Sequence, residues 1–168
     1  METHSKYFFS NFKVPSLVSD IKPIIIADSF STPSNIGSII RLGANIGVSK
    51  IIVLNSSQLR DSKIKKTAGA AIQHVEIVFA ETNELPELIP DGYVLTGIET
   101  VEGATSIFDP LPQQIAFVMG NEKFGLSDDL LKMCNDYRFI PMPGAIKSMN
   151  VSHAASVCLF EWYRQIIN

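Results

Sequence analysis

Short apolar runs alternate along the chain with longer stretches in which apolar residues recur every three or four positions. Ile24-Ile25-Ile26-Ala27, Ile51-Ile52-Val53-Leu54, Val75 to Phe79, Tyr93 to Thr96 and Ile115 to Met119 are brief, rich in β-branched residues and bounded by Gly, Pro, Asp or Asn. They predict strands, with Tyr137 to Ile140 as a sixth. Runs this continuously apolar suit a parallel sheet covered on both faces. From Ser34, positions Ile36, Ile39, Ile40 and Gly43 mark a helix face, with Pro33 as a start signal and Gly47 as a stop. Ser127, followed by Asp128 and Asp129, predicts the start of another helix, because carboxylates are favoured at the positive end of the helix dipole. Val151, Ala154, Ala155, Cys158, Leu159, Trp162 and Ile166 form one stripe on a long final helix. Strands alternating with helices predict a single α/β domain over residues 1–168, with a mostly parallel sheet and helices on both faces. Residues 1–20, including His4, read as a poorly defined leading segment. Ligands of such sheets bind beyond the carboxyl ends of the strands.

Composition narrows this picture. The chain has 168 residues, 46% hydrophobic and 18% charged, which is enough for one packed core. No apolar run is long enough to span a bilayer, and the first residues lack the apolar core of a secretory signal. Cys134 and Cys158 have no partner at metal-ligand or redox spacing, so reduced thiols, no metal site and a cytoplasmic location are expected. The net charge of −3 runs against a protein that grips phosphates. One cluster departs from it: Arg60, Lys63, Lys65 and Lys66, which is either a solvated face or a nucleic-acid contact.

Three segments that follow predicted strands are rich in Gly, Asn, Ser and Pro: Ser34 to Arg41, Met119 to Leu126, and Ile140 to Ser152. Glycine allows close backbone approach, and proline fixes the chain around it. Neither the dinucleotide fingerprint nor the phosphate-loop pattern is present. The three histidines form no catalytic grouping, and His153 reads as an ordinary residue of the final helix.

These segments resemble the three motifs of the SpoU/TrmH branch of the SPOUT methyltransferases. Asn35, Gly37 and Arg41 match N-x-G-x-x-x-R, and Gly120, Glu122 and Gly125 match G-x-E-x-x-G. Residues Ile140 to Ser152 match the third motif, with Met149 in place of its leucine. The resemblance runs from Ile24 to Gln165. It implies a C-terminal part threaded into a trefoil knot, S-adenosylmethionine as cofactor, a homodimer formed through the first and last helices, and 2′-O-ribose methylation of RNA. It assigns catalysis to Arg41, Asn35, Glu122, Ser148 and Asn150. It assigns the cofactor to the strand-end loop Thr96-Gly97-Ile98-Glu99, with Gly120, Ile140 and Met149. Arg41 would stabilise the developing ribose oxyanion, joined at the RNA surface by Arg60, Lys63, Lys65 and Lys66. Asn35 would fix its loop against Glu122, although Asn35, Ser148 and Asn150 also suit plain helix caps. The absence of room for a separate RNA-binding domain tilts the expectation toward tRNA over rRNA. Two alternatives stay open: a base-directed SPOUT methyltransferase, and a catalytically silent RNA-binding or assembly protein.

Overall fold

The computed structural model describes residues 5–12, 15, 20–55 and 62–167. Seven strands form one sheet: β1 (Ile24–Asp28), β2 (Lys50–Leu54), β3 (Glu76–Ala80), β4 (Val94–Ile98), β5 (Thr105–Ser106), β6 (Ile115–Met119) and β7 (Asp136–Phe139). Their order across the sheet is β3-β2-β1-β6-β4-β7-β5, and each neighbouring pair is parallel. β6 and β7 are inserted between strands laid down before them, the topological precondition of the expected threading.

Among the described residues there are six α-helices: α1 (Ser5–Asn11) before the first strand, α2 (Pro33–Ile46), α3 (Ser62–Ala68), α4 (Leu85–Leu88) and α5 (Asp128–Met133) between strands, and α6 (Val151–Ile166) after the last. Alternation along each strand sorts the core into two layers. Ile25, Ile51, Val53, Ile115 and Phe117 face α2, α3 and α6, packing on Ile36, Ile40, Ile64, Leu159 and Trp162. Ile24, Ile26, Ile52, Ala116 and Val118 face the other way, onto Leu85 of α4 and Leu130 of α5. Burial on both faces explains why β1 and β6 read as uninterrupted apolar runs.

α2 starts with Pro33 in its first turn and ends at Gly47, whose φ of 78° lets its N–H reach the Gly43 carbonyl at 2.8 Å. Ser127 stands at the N-cap of α5, but its side chain makes no capping bond; its backbone N–H donates instead to the buried carboxylate of Asp28, at 2.9 Å. Part of the leading segment is the helix α1, while His4 lies outside the described residues. The α6 stripe serves the chain's own core. Trp162 is fully buried, and its Nε1 donates to the Gln113 carbonyl at 3.2 Å.

Candidate active site

The carboxyl ends of β6, β4 and β7 converge on a cleft of about 320 Å³. Its walls come from the ends of β4 and β6 with their following loops, from Phe139 and Ile140, and from Met142 and the segment Lys147 to Val151, with Ala154 of α6. This is the position at which open parallel sheets bind ligands.

One hydrogen-bonded chain ties the loops together. Glu122 accepts from Ser31 N–H and Ser31 Oγ, both at 2.9 Å, from Thr32 N–H at 3.0 Å and from Asn35 Nδ2 at 2.9 Å. Asn35 Oδ1 in turn accepts from Asn150 Nδ2 at 3.1 Å. Asn150 Oδ1 caps α6, accepting from Ser152 N–H at 2.8 Å and Ser152 Oγ at 2.7 Å. Asn35 therefore lies inside α2 and does not cap it. Partial burial raises the Glu122 pKa, but the bonds from Ser31 and Asn35 outweigh it and hold the carboxyl at about 2. An anion with four donors on its two oxygens is a poor base and an effective brace.

Backbone strain adds to the geometry. Ser29 has φ 51°, a left-handed conformation that non-glycine residues rarely adopt. It turns the chain after β1 so that its carbonyl accepts from Asn121 Nδ2 at 2.5 Å. The loop after β6 closes on itself through paired backbone bonds between Asn121 and Gly125, at 2.8 and 3.0 Å. A Cβ on Gly120 would come within 2.4 Å of the Gly125 backbone, so only glycine fits there.

Gly120, Glu122, Ile140, Ser148, Met149 and Asn150 all line the cleft. Thr96 and Gly97 do not. β4 runs on to Ile98, so both are buried ladder residues: Thr96 Oγ1 lies 3.5 Å from Asp136, and Gly97 is packed under Leu126, Tyr137 and Cys134. Ile98, Glu99 and Thr100 take the place expected of them. Glu99 accepts from Thr100 N–H at 2.9 Å and Leu126 N–H at 3.3 Å, clamping the β4 loop to the β6 loop. Asn121, Ser29 and Ser31 carry no role in the motif pattern; of the three only Asn121 stands beside motif residues.

Arg41 is exposed and is not part of the cleft wall. It reaches toward the end of α3, where a Cβ on Gly69 would lie 3.9 Å from Arg41 Nη1. Lys63, Lys65 and Lys66 are exposed on α3, and Arg60 lies outside the described residues. Gly37 explains how α3 comes so close to α2: a Cβ there would meet Thr67 Cβ at 2.7 Å and the Ile64 carbonyl at 2.8 Å. Cys158 is buried and Cys134 half-buried; desolvation pushes both thiols up to about 12, with Asp136 adding to the effect at Cys134. Among the described residues no group of three or more His, Cys, Asp or Glu side chains could hold a metal, and no helix is long and apolar enough to cross a membrane.

A parallel sheet, a crevice at its carboxyl ends and loops that shape it with backbone groups define an α/β protein built around a small-molecule site. The chain belongs to the SpoU rRNA Methylase family, whose model matches residues 22–160. A Staphylococcus haemolyticus protein assigned to the TrmH family of tRNA/rRNA methyltransferases is 33% identical over 151 residues, 86% of this chain and 59% of that one. The 23S rRNA (guanosine-2′-O-)-methyltransferase RlmB of Xylella fastidiosa is 31% identical over 146 residues, 84% of this chain and 58% of its own length. The chain thus spans somewhat more than half the length of these relatives. In structure it is similar to the SpoU methyltransferase AviRb from Streptomyces viridochromogenes, with a TM-score of 0.80 and 27% identity over 89% of this chain and 61% of that one. AviRb is also known in complex with the cofactor AdoMet, a structure that matches with a TM-score of 0.78.

Proposed function

We propose that this chain transfers a methyl group from S-adenosylmethionine to a ribose 2′-hydroxyl of RNA. The carrying observation is the chain of bonds from Glu122 through Asn35 to Asn150, which joins all three motif loops around one cleft. A base-directed or silent relative has less need of that brace together with Arg41.

The cleft suits the cofactor. Its size falls within the range of small-ligand sites, and it combines apolar walls (Ile98, Met119, Ile140, Met149) with a few polar groups. Gly120 lets the loop after β6 fold back tightly against the cleft, and the Glu99 carboxylate gives an acceptor suited to an ammonium or hydroxyl donor. Gly120, Ile140 and Met149 would hold the cofactor, with Ile98 and Glu99. When bound, S-adenosylmethionine supplies an electrophilic methyl group on a positively charged sulfur. Glu122, Asn35 and Asn150 position the loops and exchange no proton. Arg41, cationic and reachable from solvent, stabilises the oxyanion developing on the ribose, while the hydroxyl proton passes to water or to a phosphate of the substrate. Lys65 and Lys66 on α3, beside Arg41, hold the RNA backbone. The enzyme acts as a homodimer, with Phe160 on the outer face of α6 available to the interface.

Arg41→Ala tests this reading. A single-turnover assay should show a rate lower by about a hundredfold or more, with cofactor affinity by calorimetry unchanged. Retention of more than about a third of the wild-type rate removes the role assigned to Arg41. Absence of cofactor binding by the wild type supports the silent alternative. Mapping ribose methylation in RNA from a deletion strain then separates tRNA from rRNA as substrate. Sedimentation as a monomer at micromolar concentration would remove the homodimer.

A further inference from the structure

The loops that wall the cleft carry exposed side chains that the brace does not use. Phe124 is 85% exposed, the highest exposure of any large apolar residue among the described ones. Its chain neighbours Lys123 and Gly125 both line the cleft. On the C-terminal loop, Ile146 is 74% exposed and Met149 40%, flanking the exposed Lys147, another lining residue. A single exposed phenylalanine needs no explanation, but here three exposed apolar side chains and two lysines stand on the two loops that wall one cleft.

The Phe124 turn is also held stiffly. Asn121 Oδ1 accepts from the N–H groups of Lys123 at 2.9 Å and Phe124 at 3.3 Å, and the Asn121–Gly125 bridge closes the turn behind them. Gly125, at φ 70°, makes the tight return possible. The backbone presenting the ring is therefore ordered before anything binds, which lowers the entropic cost of contact.

We propose that Phe124 is a stacking platform for an unpaired RNA base next to the ribose that enters the site, with Lys123 and Lys147 taking the flanking phosphates. This rests on the reading of the chain as an RNA methyltransferase. An aromatic face with adjacent cations is the combination by which proteins hold unpaired nucleotides without base-specific hydrogen bonds. The exposed apolar side chain of Ile146, on the C-terminal loop, adds a second contact for the same base. The recognised element is a loop or bulge, because a base inside a duplex offers no free face to Phe124.

The test uses the full chain and a short single-stranded oligoribonucleotide carrying one 2-aminopurine, with unfractionated cellular RNA as a second ligand. Wild type should bind both and quench 2-aminopurine fluorescence. Phe124→Ala should weaken oligonucleotide binding by about tenfold or more and abolish the quenching. Phe124→Trp should preserve both, and Phe124→Leu should preserve neither. Because the ring is neutral, the salt slope of binding should stay the same across the series. Cofactor affinity and the circular dichroism melt should not change, which separates a lost contact from a damaged fold. Equal binding by wild type and Phe124→Ala overturns the proposal, and so does full rescue by leucine. Binding of cellular RNA but not of the oligonucleotide also overturns it. A shift in sedimentation on Phe124→Ala would assign the rim to a subunit interface instead. If wild type binds neither RNA, the underlying methyltransferase reading fails, a result distinct from all of these.

Discussion

Glu122 keeps its charge because the chain delivers four donors to two oxygens, two of them backbone N–H groups from the turn after β1. Its pKa is lowered from an ordinary 4.5 to about 2, so the folded state holds this proton less tightly than the unfolded chain. The stabilisation is then complete above the unfolded value and is lost as pH falls from about 4.5 toward 2. Glu122→Gln removes the charge and puts an amide NH2 against donors. Leaving such donors unmatched should lower the unfolding free energy at pH 7 by about 1–3 kcal/mol. Urea titrations at pH 7 and pH 3 check the sign: the gap between wild type and variant should shrink at the lower pH. A gap that stays constant would show that the effect is steric.

At the scale of elements, α3 hangs on a single missing methyl group. Gly37→Ala would place a Cβ 2.8 Å from the Ile64 carbonyl, a backbone atom that cannot rotate away. The helix must shift, at a cost of about 1–3 kcal/mol, and Lys65 and Lys66 shift with it. Gly37→Ala should therefore lower the melting temperature and weaken RNA binding while cofactor titration stays close to wild type. Loss of cofactor binding alone would disconnect Gly37 from α3. The strands most legible in the sequence were those buried on both faces: β1, β2 and β6 match their apolar runs almost residue for residue. β4 was harder, since Thr96 and Gly97 interrupt the apolar pattern although the ladder continues through them to Ile98. β5 is two residues long and exists only by pairing with β7, a contact no local pattern can announce. α4, with four residues, is too short to show a period. The motif spacing placed Gly120, Glu122, Ile140, Ser148, Met149 and Asn150 around one cleft, but the left-handed turn at Ser29 and the offset of Arg41 from that cleft depend on packing between distant segments.

For the molecule as a whole, a net charge of −3 coexists with a basic end on α3 beside Arg41. Long-range repulsion from RNA is then offset locally, and association should be directional and sensitive to salt. The bonds that brace the cleft join residues far apart in the chain. Asn35 and Glu122 are 87 residues apart, and Asn35 and Asn150 are 115 apart. Closing such loops costs entropy that nearby contacts do not, so they form late in folding. α6 cannot be capped by Asn150 in its native setting, nor Asn35 fully satisfied, until the final third of the chain has docked on α2. The apparatus for cofactor capture is thus a property of the finished fold. A chain ending before β6 carries β1 and β2 in its sequence but lacks most of the cleft walls, which come from β6 and its loop, the segment after β7 and α6.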